Sequence, residues 1–270
     1  MSHFINGDIR DKGAVDEAME NQECVVHLAA QTGVIPSIEN PVEDCEVNVR
    51  GTLNLLQAAS GNKVKRFIAA SSSAPVGACA PPMHEDLPTR PTAPYGASKA
   101  AMESYCSAWH HSFGLNTVVL RFSNCYGAGS INKSSIVALF MKKILAGEKL
   151  TIYGDGEQTR DFIYVEDLCR AIELVLKYTP DKDGSPFGQI YQAATGVETS
   201  INELLDLMRE LIRPSLGQEI AVEYSNSRAG EVVRNFSEIS HIRNTFEFKP
   251  QISLEEGLNR TWTYFSKNDI

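Results

Sequence analysis

Residues 94–124 read PYGASKAAMESYCSAWHHSFGLNTVVLRFSN, a helix running directly into a strand. Pro94 falls in the first helical turn, where a missing N–H does no harm, and Gly114 follows the last turn, the usual asymmetry of helix ends. NTVVLRFSN is then a short apolar run of strand type. The same alternation repeats on either side of this stretch. CVVHLAA (24–30) reads as a buried-type strand, and NPVEDCEVNVRGTLNLLQAAS (40–60) has helical spacing, with Val42, Cys45, Val49, Leu53 and Leu56 on one stripe. KRFIAASSS (65–73) is the next strand. A helix is expected over roughly 134–146, stopped by Gly147, then a helix in YVEDLCRAIELVLKY (164–178) and a strand in GQIYQAA (188–194). Ser200 with Glu203, and Ser253 with Glu256, have the spacing of capping boxes that open two further helices. Strands alternating with helices predict a parallel α/β sheet, with a smaller, interleaved lobe from the second half.

Composition narrows the function. The chain has 270 residues, 43% hydrophobic and 22% charged, as in ordinary globular domains. It shows no apolar run long enough to cross a bilayer and no signal-peptide pattern. Six cysteines are scattered without C-x-x-C spacing, which predicts reduced thiols and a cytoplasmic setting rather than zinc or a disulfide framework. A net charge of −9 argues against nucleic acid and anionic membrane as partners. An anionic ligand would have to be held by a few local cations.

The sharpest chemical signal is Tyr95-Gly-Ala-Ser-Lys99. Residues four apart share a helix face, so the phenol and the ammonium can converge. A free tyrosine titrates near pH ~10, and lowering it by ~3 units needs ~4 kcal/mol, within reach of a partly buried cation–phenolate pair. By itself a Y-x-x-x-K is a chance surface pattern. Its context is the serine-rich strand end SSSAPVG (71–77), placed where parallel sheets bind their ligands, and a hydroxyl there could relay a proton to Tyr95. His110-His111 reads as helix surface, and Cys106 and Cys125 as packing residues.

Taken together, GDIRD, VVHLAAQTGVIPSIENP, NVRGTLNLLQAA, SSSAPVG, PYGASKAAMESY, LRFSNCYGAGS, IYGDGEQTRDFIYVEDL and RAGEVVRNFSEIS appear in an order that resembles the extended short-chain dehydrogenase/reductases, specifically the NAD-dependent nucleotide-sugar epimerase/dehydratase family. The resemblance spans nearly the whole chain. It implies a Rossmann-like doubly wound sheet over 1–126 and 164–194, and a nucleotide-sugar lobe over 127–163 and 195–270. It implies NAD as cofactor, a UDP-sugar or other nucleotide sugar as substrate, and a homodimer. Tyr95 would be the catalytic base, Lys99 its pKa modifier and a donor to the nicotinamide ribose, and Ser73 the hydroxyl that meets the reacting sugar oxygen. Asp8 and Ile9 match the pair that meets adenine. Leu28, Ala29 and Ala30 match the strand end lining the cofactor, and Asn48 a polar residue behind the site. Asn124 matches a substrate-contacting asparagine, and Arg160 and Arg228 the arginines that grip the diphosphate. Guanidinium forks suit phosphate oxygens, which agrees with the need for local cations. Glu231 stands where relatives often place an aspartate facing the ribose, and Asn235 where 4-epimerases limit room for a 2-N-acetyl group.

The resemblance leaves the reaction to be read from neighbouring residues. Dehydratases of the family usually follow the hydroxyl residue with an acidic pair, and decarboxylases carry a glutamate there. Here Ser73 is followed by Ala74-Pro75, which neither give nor take a proton. That favours 4-epimerisation through a 4-keto sugar, with dehydration, decarboxylation or a pure binding role as the alternatives. SSSAPVG is also one residue shorter than the usual S-x-x-V-Y-G. Relatives begin with a glycine-rich βαβ unit, whereas no GxxGxxG occurs in this chain. The reading is therefore a family member lacking that unit. MSHFIN would be the outermost strand of the order 3-2-1-4-5-6, and NAD binding and turnover by residues 1–270 alone would be weak or absent.

Overall fold

The structure is a computed structural model and describes residues 3–179, 185–217, 219–227 and 233–267. The first half runs α1 (Lys12–Met19), β1 (Cys24–His27), α2 (Val34–Glu39), α3 (Pro41–Cys45), a π-helical turn (Glu46–Arg50), α4 (Gly51–Gly61), β2 (Arg66–Ser72), α5 (Pro94–Phe113), β3 (Thr117–Phe122) and β4 (Asn124–Tyr126). The second half runs α6 (Ile136–Leu145), β5 (Leu150–Tyr153), β6 (Thr159–Arg160), β7 (Phe162–Tyr164), α7 (Val165–Lys177), β8 (Gln189–Ala193), β9 (Thr199–Ser200), α8 (Ile201–Leu216), β10 (Val222–Ser225), α9 (Ser240–Phe246) and α10 (Leu254–Phe265).

The main sheet is parallel, in the order β1-β2-β3-β8. Alternation along its central strands sorts their side chains into two cores. Phe67, Ala69 and Val119 face one cluster with Leu56, Met102 and Val15, from the helices of the first half. Ile68, Val118 and Leu120 face the other, with Leu168, Ile242 and Phe246. Burying each large side chain contributes roughly 1.5–3 kcal/mol. A buried ion pair pins α5 to β3: Arg121 Nε and Nη2 donate to the Glu103 carboxylate at 2.8 and 2.7 Å, and Ser71 Oγ of β2 adds a bond of 2.6 Å. Removing one partner of such a pair costs about 3–5 kcal/mol, because the other is left charged and buried.

Several expectations are met at the level of single caps. Pro94 begins α5 and Gly114 caps it in the left-handed region. Ser200 and Glu203 exchange both capping-box bonds, at 3.1 and 2.7 Å. At α10 only half of the box forms. Ser253 accepts from Glu256 N at 3.1 Å, while the Glu256 carboxylate turns to Arg260, the stronger electrostatic partner.

Three readings need correction. Residues 3–8 form no strand, since a strand needs a neighbour's backbone and none lies beside them among the described residues. β1 is an edge strand rather than a fully buried one, with Val26 and Leu28 exposed. The stripe in 40–60 is not Val42 and Cys45, which are exposed, but Asp44, Asn48, Thr52, Leu56 and Ala59. The π-helical turn lengthens the local repeat, and the polar residues at its inner face are held by hydrogen bonds that periodicity cannot reveal.

The second half builds a core of its own around Tyr126, Phe140, Ile152, Phe162, Leu204 and Trp262. Small sheets β4–β7, β5–β10 and β6–β9 tie it together. α10 packs close beneath β4, where Tyr126 Oη donates to the Leu254 carbonyl at 3.3 Å. A Cβ at Gly257 would lie 2.1 Å from that same phenolic oxygen, so only glycine fits there. Among the described residues no helix is long and apolar enough to cross a membrane.

Candidate active site

The start of α5 abuts the loop that leaves β2. Gly96 permits this approach, because a Cβ there would sit 2.6 Å from the Ala74 carbonyl oxygen and 2.9 Å from Pro91. Tyr95, Ser72 and Ser73 thereby line one cavity of about 290 Å³ with Asn124, Asn235 and Met83. Within it the Ser72 hydroxyl acts to lower the pKa of the Tyr95 phenol, and its Oγ accepts from Ala74 N at 3.1 Å. Ser73 turns with the chain, its carbonyl accepting from Val76 N at 3.1 Å, and its Oγ faces Asn235 Nδ2 at 3.5 Å. Both serines reach the cavity. Strand alternation held the signal for this, since it separates Ser71, spent on Glu103, from Ser72.

Tyr95 and Lys99 lie one turn apart on α5, and no bond joins their side chains. Burial raises the Tyr95 phenol above its ordinary value, the Ser72 hydrogen bond pulls it back, and the Asp44 carboxylate raises it again. The Lys99 ammonium instead donates to the Ala70 carbonyl at 2.8 Å. Burial lowers its pKa to about 8, against the pull of Asp44 and Glu103. His27, at the end of β1, is held down to about 4 by burial and by the Lys99 charge. Thr52 Oγ1 gives its proton to the Asn48 carbonyl at 2.6 Å, so His27 Nε2 is the donor in the 2.9 Å contact with Thr52.

Asn48 is buried. Its amide oxygen accepts from Gln31 N at 2.8 Å, and its Nδ2 lies 3.0 Å from the Gln31 carbonyl, 3.0 Å from Asp44 and 3.1 Å from Ser98 Oγ. Ser98 in turn donates to the Tyr95 carbonyl at 3.0 Å. The network joins the loop after β1 to the first turn of α5. In that loop Leu28 and Ala29 are exposed and Ala30 half-buried, forming an apolar ledge. Asp8 is exposed and held by Arg10, whose guanidinium lowers its carboxyl to about 2. Ile9 packs on Gly51, where a Cβ would come within 2.5 Å of it.

A second cavity, of about 340 Å³, adjoins the first through Asn124, which lines both. Arg160, Tyr153, Gln158, Phe140 and Cys125 also line it. Arg160 Nη1 donates to the Thr159 carbonyl at 2.7 Å. Cys125 is thus a wall residue, not a packing one, because its short strand β4 runs along the cavity; Cys106 is fully buried. Arg228 and Glu231 lie outside the described residues. Val34, at the start of α2, and Met83, in the connection between β2 and α5, also reach the first cavity, and local sequence carries no signal for Met83. Asp161, beside Arg160, is a further omission of the sequence reading.

Residues 1–192 match the NAD dependent epimerase/dehydratase family. The chain is 35% identical over 270 residues to the UDP-glucuronate 4-epimerase of Thermodesulfobacterium geofontis, covering 98% of this chain and 80% of the relative. The structure superposes on the UDP-glucose 4-epimerase of Thermotoga maritima solved with UDP-glucose, with TM-score 0.87 and 31% identity over 97% of this chain and 83% of that one. It also superposes on the dTDP-glucose 4,6-dehydratase of Streptomyces venezuelae solved with NAD, with TM-score 0.85 and 32% identity over 97% of this chain and 79% of that one.

Proposed function

The chain belongs to the NAD-dependent epimerase/dehydratase family, and from that premise we propose that it is a UDP-hexose 4-epimerase working through a 4-keto sugar. One observation carries the choice of reaction. The cavity around Tyr95 is lined by hydroxyls, amides and apolar groups, with no Asp or Glu among its described lining residues. Eliminating water across the sugar needs a second acid–base group besides the one at C4, and a hydroxyl-lined cavity does not supply it. Epimerisation needs a proton moved at a single oxygen. Tyr95 takes it from the C4 hydroxyl, Ser72 and Ser73 hold that hydroxyl and the phenol in line, and Tyr95 returns the proton after the keto sugar has turned over.

The residues present fit the nicotinamide-ribose end of NAD. Leu28, Ala29 and Ala30 offer an apolar ledge to a flat ring, and Lys99 and Tyr95 offer donors to the ribose. Asp8 offers its carboxylate at the far end, and Asn48 braces the site from behind. When bound, NAD accepts and gives back the C4 hydride. Arg160, together with Arg228, would grip the diphosphate in the second cavity, Asn124 would span sugar and phosphate, and Glu231 would face the nucleotide ribose. A homodimer is supported by the apolar face on α3 and α5, where Val42 and Phe113 are exposed and Trp109 stacks between Tyr105 and Phe113. Six free thiols support a cytoplasmic setting.

The test is incubation of the chain, joined to a glycine-rich βαβ segment from a relative, with NAD and UDP-glucose, and separation of UDP-galactose from the starting sugar nucleotide. Formation of a stable 4-keto-6-deoxy product instead would replace epimerase with dehydratase.

A further inference from the structure

Asp161 is fully buried and collects bonds from three separate segments. Its Oδ1 accepts from Thr195 N at 2.9 Å, Thr195 Oγ1 at 2.7 Å and Ser123 Oγ at 3.2 Å. Its Oδ2 accepts from Gly196 N at 2.9 Å and Ser237 N at 3.4 Å. Its main-chain carbonyl accepts from Asn124 N at 2.9 Å and Asn124 Nδ2 at 3.2 Å. All of these donors are neutral.

A buried carboxylate is costly unless fully hydrogen-bonded, and burial here pushes its pKa above the usual carboxylate range. Fold stability alone gives no reason to place a charge there, since apolar or neutral replacements of buried charges are often as stable. What the donors share is their position. Ser123 and Asn235 line the cavity of Tyr95, Ser237 lies two residues beyond Asn235 in the chain, and Asn124 lines both cavities. Arg160, on the nucleotide side, is the residue immediately before Asp161.

We propose that Asp161 is a positioning residue: it draws the β4, 195–196 and 235–237 segments onto one carboxylate and so fixes the hexose cavity against the nucleotide cavity. The side chain acts on the sugar side, through Ser123 and Ser237. The main-chain carbonyl, which substitution spares, acts on Asn124. The inference rests on the nucleotide-sugar reading above, and it assigns the carboxylate to sugar placement and not to nucleotide affinity.

Calorimetry with two probes, UDP and UDP-glucose, separates these roles for Asp161→Asn, Thr195→Val and Thr195→Ser. Thr195→Val deletes one donor with little change of shape and serves if Asp161→Asn does not fold. The expected result is UDP affinity within about twofold of the parent in every variant. UDP-glucose affinity should fall about tenfold in Asp161→Asn, as expected when hydrogen bonds to a charged group are lost, and severalfold in Thr195→Val, with recovery in Thr195→Ser. A merely structural carboxylate would weaken both probes equally, or neither, and either result overturns the inference. A parent that binds neither probe overturns the nucleotide-sugar reading itself, and this inference with it.

Discussion

Lys99 Nζ donates to the carbonyl oxygen of Ala70 at 2.8 Å, which fastens the helix carrying Tyr95 to the strand carrying the serines. The lysine therefore braces the site, while burial and Asp44 raise the pKa of the phenol and Ser72 lowers it. A tyrosine raised by burial is mostly protonated at neutral pH, which gives the proposed role of the neighbouring hydroxyls its weight.

Tyr95→Phe is expected to lower kcat by three orders of magnitude or more, roughly the upper contribution of a positioned acid–base group. Affinity for UDP should stay unchanged, because the phenol lies in the sugar cavity. Initial rates on UDP-glucose with parallel UDP titrations check both; near-normal turnover would dismiss the mechanism.

The two serines should separate by pH. Loss of the Ser72 hydrogen bond leaves burial and Asp44 unopposed, so Ser72→Ala should move the acidic limb of kcat/KM to higher pH. Ser73→Ala should lower kcat with the limb in place. Identical profiles for the two variants would show that neither hydroxyl is specific to the phenol.

Arg160→Ala should raise KM for UDP-glucose about tenfold or more, since a charge-assisted bond contributes ~1.5–3 kcal/mol. The measurement is the KM ratio to the parent at equal kcat. A variant that binds UDP as tightly as the parent would remove Arg160 from the phosphate site.

Asn235 faces Ser73 across the sugar cavity at 3.5 Å. A bulkier side chain there should exclude a 2-N-acetyl group. Asn235→Tyr is expected to lower kcat/KM for UDP-N-acetylglucosamine relative to UDP-glucose, with the parent accepting both. An unchanged ratio would rule out this position as the gate.

His27 predicts a pH dependence of stability. Its folded pKa of about 4 lies below the usual 6.5, so between these values the unfolded chain binds more protons and stability rises with pH. Acidification from pH 7 to pH 5 should cost roughly 2 kcal/mol through this residue alone. His27→Gln should lose that share of the slope in urea titrations at the two pH values. An equal slope in parent and variant would place the imidazole elsewhere.

Much of the fold was legible because it follows from local rules: Pro94 and Gly114 bound α5, Ser200 and Glu203 open α8, and the apolar runs at 66–72 and 117–122 become the sheet's centre. Tyr95 in its Y-x-x-x-K pattern and the serine-rich strand end were legible as neighbours, and they line one cavity. What failed depended on partners distant in sequence. The bond of Lys99 to a backbone carbonyl across the α5–β2 contact had no signal in its spacing from Tyr95. Val42 was assigned to the core by periodicity, yet the π-helical turn hands burial to Asp44 and Asn48, whose polar partners satisfy them. The same holds for Asp161, whose donors come from residues 123, 195, 196 and 237.

The fit between Gly257 and Tyr126 makes the last helix an accessory of ligand binding. A side chain at 257 would collide with the tyrosine, so the ring or α10 must shift, and that ring lines the cavity of Arg160. In a saturation screen, position 257 would register as a binding defect although it touches no ligand. Natural drift in α10 is constrained in the same way, from a place that a survey of cavity-lining residues would overlook.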